Sequence, residues 1–571
     1  MQKTCVQCST TFTVTEDDTT FYAKLNIPEP TRCPNCRVIR RMMWRNDRTF
    51  YKRPCSKCNQ TMVALYPADT KFPVYHPSEW WSDDWDPLSY GQAFDFNRPF
   101  FAQWHELMNK VPRLGIDIVN CENSDYCNYC GDDKNCYLDI AGEANEDCYY
   151  DLFTKYSKNC VDCTFAYNSE LCYESINCYN CYNVQYGIYL ENCNDCLFCF
   201  DLKGCKNCLF SYNLRQKEYH IFNEPYSKEE YVKKVNELGL GSYVATQKNL
   251  EQWLDMMQKA VHRDLYSLNS ENCSGNDIKN SKNCQHCFNV VNCEDCKYLY
   301  DVLDAKDCYD LNYSLYKPEV ACELISTLSM RYSAFSMASH YCSNALYVDQ
   351  CNNSSNLFGC IALNRKQYCI LNKQYSKEEY ESLVPKIIDH MGKTGERTAR
   401  ARTSEESGSA GSERSELINK QWGEFFPAEI SPFAYNETVA HEYFPFSKDQ
   451  AAARGYRWKE RDLKDYQPQT YVIGDTIDET TEKITDEILA CIVCGKNFRI
   501  IPQELKFYKE HAIPVPRACP DCRHRERIKH RNPRYLWQKT CADCGATIQT
   551  SYPPGRMEKV LCEKCYLSHV Y

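Results

Sequence analysis

The stretch CIVCGKNFRIIPQELKFYKEHAIPVPRACPDCR, residues 491–523, decides how the chain is read, because it returns at 5–37 as CVQCSTTFTVTEDDTTFYAKLNIPEPTRCPNCR without a gap. Aligned positions differ by 486 throughout: Cys5 meets Cys491, Cys8 meets Cys494, Cys33 meets Cys519 and Cys36 meets Cys522. The displacement continues past the stretch. Cys55 and Cys58 fall on Cys541 and Cys544, Asn46 on Asn532, and Tyr66-Pro67 on Tyr552-Pro553. Two copies of one module therefore occupy 1–86 and 487–571.

The C-terminal copy carries four Cys-x-x-Cys pairs, separated by 24, 18 and 17 residues: Cys491/Cys494, Cys519/Cys522, Cys541/Cys544 and Cys562/Cys565. Eight thiolates in pairs suit zinc, a d10 ion that accepts four soft ligands in a tetrahedron without geometric strain. Half a module is also too short to stand on an apolar core alone, whereas structural zinc supplies folding energy directly. In the N-terminal copy Cys5, Cys8, Cys33, Cys36, Cys55 and Cys58 keep their places, but His76 and Glu79 stand opposite the last cysteine pair. Imidazole and carboxylate both bind zinc, so the expectation is three or four Zn2+ ions. Sequential and cross-brace pairing use the same residues.

After each second pair the sequence predicts a helix opened by its own ligands, Cys33-Pro-Asn-Cys36 and Cys519-Pro-Asp-Cys522, with proline in the first turn where its missing N–H costs nothing. On these helices Arg37, Arg41, Arg45 and Arg48, and in the other copy Arg523, Arg527, Arg531 and Arg534, share one face. Arginine beside a zinc knuckle suits phosphate, which makes these eight residues candidate nucleic-acid contacts. The competing reading is a helix face paired with the acidic middle of the same chain.

The middle is itself duplicated, the stretch 209–231 being echoed from Phe358 to Tyr380. Cys136, Cys148, Cys160 and Cys172 recur every twelve residues, and the later cysteines Cys342, Cys351, Cys360 and Cys369 every nine. Short aromatic strands, polar corners and a fixed period read as a β-solenoid in two lobes, 120–225 and 269–390. Its cysteines, including Cys160-x-x-Cys163 and Cys193-x-x-Cys196, are read as a stacked ladder of buried thiols. Capping boxes at Ser227-x-x-Glu230 and Ser376-x-x-Glu379 predict helices that cover open sheet edges. A connector at 87–119, a helical insert at 226–268 (Lys248–Leu265, with Leu250, Trp253, Leu254, Met257 and Val261 at helical spacing), a flexible Gly/Ser/Arg/Glu linker at 391–418 and an aromatic docked segment at 419–486 complete the layout. The fold class is thus mainly β, with small α+β zinc modules at both ends.

The pattern Cys-x-x-Cys, an aromatic stretch, then Pro-x-x-Cys-Pro-x-Cys-Arg, seen at Pro30–Arg37 and Pro516–Arg523, resembles the "probable zinc-ribbon" domain of uncharacterised bacterial proteins. That resemblance covers roughly the first and last eighty-five residues. It implies metal binding and offers no reaction, while the knuckle followed by a helix that starts on the second ligand pair resembles a treble clef.

Forty cysteines, a net charge of −10, no apolar leader before Cys5 and no long apolar run describe a reduced, cytoplasmic chain without a membrane span, whose surface as a whole does not coat nucleic acid. No catalytic set, phosphate loop or dinucleotide fingerprint is visible, nor is a small-molecule substrate. The expected function is a zinc-binding, non-enzymatic scaffold whose Arg-rich ends engage nucleic acid or a nucleic-acid-associated protein. The alternatives are a protein-interaction platform without nucleic acid and a thiol-rich metal or redox buffer.

Overall fold

The structure is a computed structural model that describes residues 1–315, 317–397, 418–460 and 466–571. It divides into two compact units, each discontinuous in sequence: Met1–Gly115 with Tyr266–Lys459, and Ile116–Leu265 with Glu460–Tyr571. Each terminal module is therefore grouped with the lobe farther from it along the chain. The linker expected at 391–418 lies, from 398 to 417, outside the described residues.

The lobes are built on a rule of three. From Asn120 to Phe222 every third residue has a positive φ, near 50–60°, and from Tyr126 to Phe210 each such residue is followed by a buried one. Asn and Asp take many of these corners because they tolerate the left-handed region. Tyr and Phe take others, where they stack on the residue twelve positions away: Phe153 on Phe165 at 4.9 Å, Tyr186 on Phe198 at 4.7 Å, Phe198 on Phe210 at 5.1 Å.

Parallel pairing follows the same count. Tyr182–Glu191 pairs with Asn194–Lys203 in a twelve-residue register, and bridges run from Tyr137 to Tyr149, Ile140 to Leu152 and Glu143 to Lys155. The second lobe forms an eleven-stranded sheet, parallel except for its last pairing. It drops one residue where Ser267 pairs with Ile278 and gains one where Lys306 pairs with Glu319. Opposite charges twelve apart align outside, as in Lys158–Glu146 at 3.1 Å and Lys306–Glu294 at 3.1 Å.

The buried third positions explain the cysteines. Cys160 Sγ donates to the carbonyls of Lys158 and Ser169 at 3.5 and 3.6 Å, and Ser157 Oγ donates to those of Lys155 and Ala166 at 3.0 and 3.3 Å. A small side chain with one donor satisfies two corner carbonyls, so thiol and hydroxyl serve alike. The Cys-x-x-Cys pairs of the middle are successive buried positions. The nine-residue spacing from Cys342 to Cys369 is three such steps and not the shortened period expected: Arg331 still pairs with Ser343, Ser343 with Ser355 and Ser355 with Gln367, each at twelve. Cys172→Ser should accordingly cost about 1 kcal/mol or less, whereas Cys172→Leu should cost about 1–3 kcal/mol by overpacking, measured by urea unfolding.

Both capping boxes form as expected. They start the helices Lys228–Asn236 and Lys377–Lys393, which lay Tyr231 on Tyr219 and Tyr380 on Tyr368 beside the last parallel strands. The insert helix runs Tyr243–Lys259 and buries Trp253 and Met256. It stops short of the expected end, because Val261–Arg263 is a strand paired with Lys559–Leu561. The aromatic segment divides between the units after Lys459, and its first part docks within its own, with Phe426 against Trp104 at 4.5 Å and Phe433 stacked on Tyr66 at 5.3 Å.

Candidate metal centres

Three clusters of four cysteines assemble, each with its ligand atoms within 4.8 Å of one another: Cys5, Cys8, Cys33 and Cys36; Cys491, Cys494, Cys519 and Cys522; Cys541, Cys544, Cys562 and Cys565. The pairing is sequential. Local structure makes each cluster in the same way, from a hairpin and a helix. In the first, Gln2–Thr4 and Thr11–Thr13 form an antiparallel hairpin whose turn presents Cys5 and Cys8, and the helix Pro34–Met42 begins with Cys33 as its cap and Pro34 in its first turn. Pro520–Lys529 after Cys519, and Glu563–Val570 after Cys562, repeat the arrangement.

The donor geometry fits a tetrahedral ion. Cys8 and Cys33 sulfurs lie 3.7 Å apart, Cys494 and Cys519 3.7 Å, and Cys544 and Cys562 3.8 Å. Four sulfurs about 2.3 Å from one centre, the usual zinc–thiolate bond, have tetrahedral edges of about 3.8 Å. Backbone N–H groups point at the sulfurs, Cys519 N donating to Cys491 Sγ at 3.2 Å and Cys562 N to Cys541 Sγ at 3.3 Å. Burial opposes ionisation of Cys491, but N–H donors from Cys519, Cys494 and Val493 outweigh it and hold the thiol down to about 6. Cys541 is likewise held at about 6. Such thiols release their protons to solvent readily at neutral pH and meet a metal as thiolates.

The fourth expected set is not drawn together. Cys55 and Cys58 sit on the hairpin Tyr51–Pro54/Thr61–Ala64, and His76 N donates to Cys55 Sγ at 3.3 Å, as Cys562 N does to Cys541. The backbone of the site survives, but its ligands turn elsewhere. The Nδ1 of His76 meets Ser78 Oγ at 2.8 Å, and Glu79 pairs with Lys57 at 3.0 Å. Among the described residues, these four form no metal-type cluster. Trp80 is buried there against Trp81 and Trp85. Maleimide labelling of the zinc-loaded protein, read by peptide mass spectrometry, should therefore mark Cys58, Cys121 and Cys273 first, since these thiols lie outside the four-cysteine clusters and are at least partly exposed.

The arginine faces correct the nucleic-acid expectation. Arg37, Arg41, Arg45, Arg523 and Arg527 are all buried. Arg523 pairs with Asp162 at 2.8 Å and Glu504 at 3.4 Å, and Arg527 with Asp162 at 2.7 Å and Glu174 at 3.1 Å. Arg37 and Arg41 do the same with Asp310, at 2.9 and 3.2 Å, and with Glu323, at 3.8 and 2.5 Å. Arg45 lies 4.1 Å from the Tyr313 ring centre and Arg531 4.0 Å from that of Phe165. Arg48 and Arg534 are half-buried at the ends of the two faces. For the five buried guanidinium groups, desolvation demands a carboxylate beside them, which the same chain supplies.

The acidic partners escaped the sequence reading. Asp162 and Glu174 follow Tyr150 and precede Tyr186 in one column of left-handed corners, and Asp310 and Glu323 follow Tyr298 and precede Phe335 in the other. Tyr-Asp-Glu-aromatic, at steps of twelve or thirteen, is the signal that would have found both docking sites.

Residues 1–43 match the family model described as "Probable treble clef domain". The match covers the first four-cysteine cluster and its helix. No curated protein matches the chain. Among solved structures, a "putative acetyltransferase" from Desulfovibrio desulfuricans G20 is similar at 9% identity and a TM-score of 0.11, over 42% of this chain. The chain spans 60% of that protein's length, and a TM-score so low carries no argument. No helix among the described residues is long and apolar enough to cross a membrane. The N-terminal treble clef and the four-cysteine clusters together make this a metal-binding, cysteine-rich protein with mostly β structure.

Proposed function

We propose that the chain is a non-enzymatic scaffold for protein partners, in which zinc-filled terminal modules clamp two four-sided β-solenoid lobes. Support for the solenoid comes from the corner at every third residue and the pairing to the residue twelve on, which together describe a coil of four three-residue sides. Zinc is favoured by the all-thiolate donor sets and their sulfur spacing. A reducing compartment, the cytoplasm, suits forty cysteines that form no disulfide among the described residues.

One observation carries the choice of protein over nucleic acid as partner: the arginine faces of both treble-clef helices engage Asp162, Glu174, Asp310 and Glu323 of the same chain. A gel shift with mixed-sequence RNA and DNA should show no complex whose affinity falls steeply between about 50 and 200 mM salt. A steep salt slope would restore nucleic acid as the ligand. A stoichiometric protein partner, recovered from crosslinked cells without nucleic acid, is the expected positive result.

A further inference from the structure

One group of residues breaks the pattern of the lobes. Among the described residues, of the buried third positions in both lobes, those after each left-handed corner, only Asp133, Asp139 and Asp151 carry a carboxylate; the rest are chiefly thiol, hydroxyl or apolar. All three are buried, at 1%, 0% and 0% exposure. Cys130 Sγ and carboxylate oxygens of Asp133 and Asp139 lie within 4.8 Å of one another.

Asp133 Oδ2 and Asp139 Oδ1 have no N–H donor, and the two buried carboxyls are set against each other, a costly arrangement unless a proton or a cation lies between them. Their neighbours are oriented toward one space. Asn145 Nδ2 donates to Asp139 Oδ2 at 2.8 Å, Asn145 N to Asp133 Oδ1 at 3.0 Å, and Gly142 N to Cys130 Sγ at 3.3 Å. These are the outer hydrogen bonds that hold metal ligands in position. The space is open because residue 142 is glycine. A Cβ there would stand 2.3 Å from Asp139 Oδ2 and 2.8 Å from Asp133 Oδ2.

We propose that Cys130, Asp133 and Asp139 form a divalent-metal site inside the first lobe, which binds zinc or a similar transition ion through one sulfur and two carboxylate oxygens. The sulfur selects against magnesium and calcium, which prefer oxygen alone. On binding, the Cys130 thiol proton and the proton shared by the Asp133–Asp139 carboxyl pair are released to solvent, and the ion supplies the positive charge that holds both carboxylates ionised.

Native mass spectrometry of the full-length, reduced protein in the presence of zinc tests the site. Four ions are expected, three in the four-cysteine clusters and one here. Cys58→Ser should leave four. Gly142→Ala, whose methyl group fills the space, should leave three, as should Asp133→Asn combined with Asp139→Asn, with the far-UV circular dichroism of the lobe retained. Three ions in the wild type, or four in both variants, overturns the site. Cys519→Ser reads the four-cysteine clusters separately, because it lowers the count by one whichever result is found for the inner site.

Discussion

Cys519→Ser is expected to release one zinc ion and to unfold the segment around 491–529, measured by native mass spectrometry and by proteolysis at physiological temperature. Cys519 does two jobs, as a ligand of its cluster and as the cap of the helix Pro520–Lys529. The apolar residues beside this cluster are few, chiefly Phe498 and Ala518. Structural zinc in modules of this kind contributes on the order of 10 kcal/mol, which no packing at the cluster replaces. Cys519 makes no side-chain cap hydrogen bond and serine is a favoured residue at that position, so helix propensity alone predicts a mild effect. If zinc is released yet 491–529 stays resistant to protease, the metal is not what holds the module. Loss of the helix has a second consequence, since it carries Arg523 and Arg527 into the lobe.

Asp162→Ala should be the most damaging single change outside the metal clusters. Asp162 is fully buried and accepts from Arg523 Nε at 2.8 Å and from Arg527 Nη1 at 2.7 Å. Its removal strands two guanidinium groups, and breaking a buried pair by deleting one partner costs about 3–5 kcal/mol. For a unit of this size that corresponds to roughly 10 °C in melting temperature. The partners that remain, Glu504 and Glu174, do not compensate fully: burial pushes the Glu174 carboxyl up to about 7, although Arg527 opposes the shift. Asp310→Ala should act alike in the other unit, where Arg37 and Arg41 share that carboxylate. Calorimetry of the two variants is the check. A shift below about 2 °C for Asp162→Ala would mean that the docking is held by its aromatic contacts, Tyr173 against Phe507 and Tyr508, and not by charge.

This reading of the arginines also explains how the chain uses its duplication. Phe21 stacks on Tyr309 at 3.7 Å and Lys297 pairs with Asp18 at 2.7 Å in one unit. In the other, the equivalents Phe507 and Glu504 meet Tyr173 and Tyr150. The arginines of both modules meet acidic residues in the matching column of corners, Asp310 and Glu323 in one lobe and Asp162 and Glu174 in the other. The contact therefore belongs to the duplicated sequence and not to one accident of packing.

Sequence alone determined the cysteine ligands, though not how they pair, together with the ligand-capped helices, the capping boxes and the thiol-filled interior. Each of these depends on residues close in the chain, or on a spacing that backbone geometry repeats: a Cys-x-x-Cys turn, a proline in a first turn, a Ser-x-x-Glu start. Tertiary structure alone decided which lobe each module joins, where the arginines point and whether His76 and Glu79 converge with Cys55 and Cys58. Those outcomes turn on desolvation. A guanidinium or an imidazole reads the same in a sequence whether water, phosphate or a buried carboxylate will face it, and only the packed partner, here Asp162, Asp310, Ser78 or Lys57, settles which.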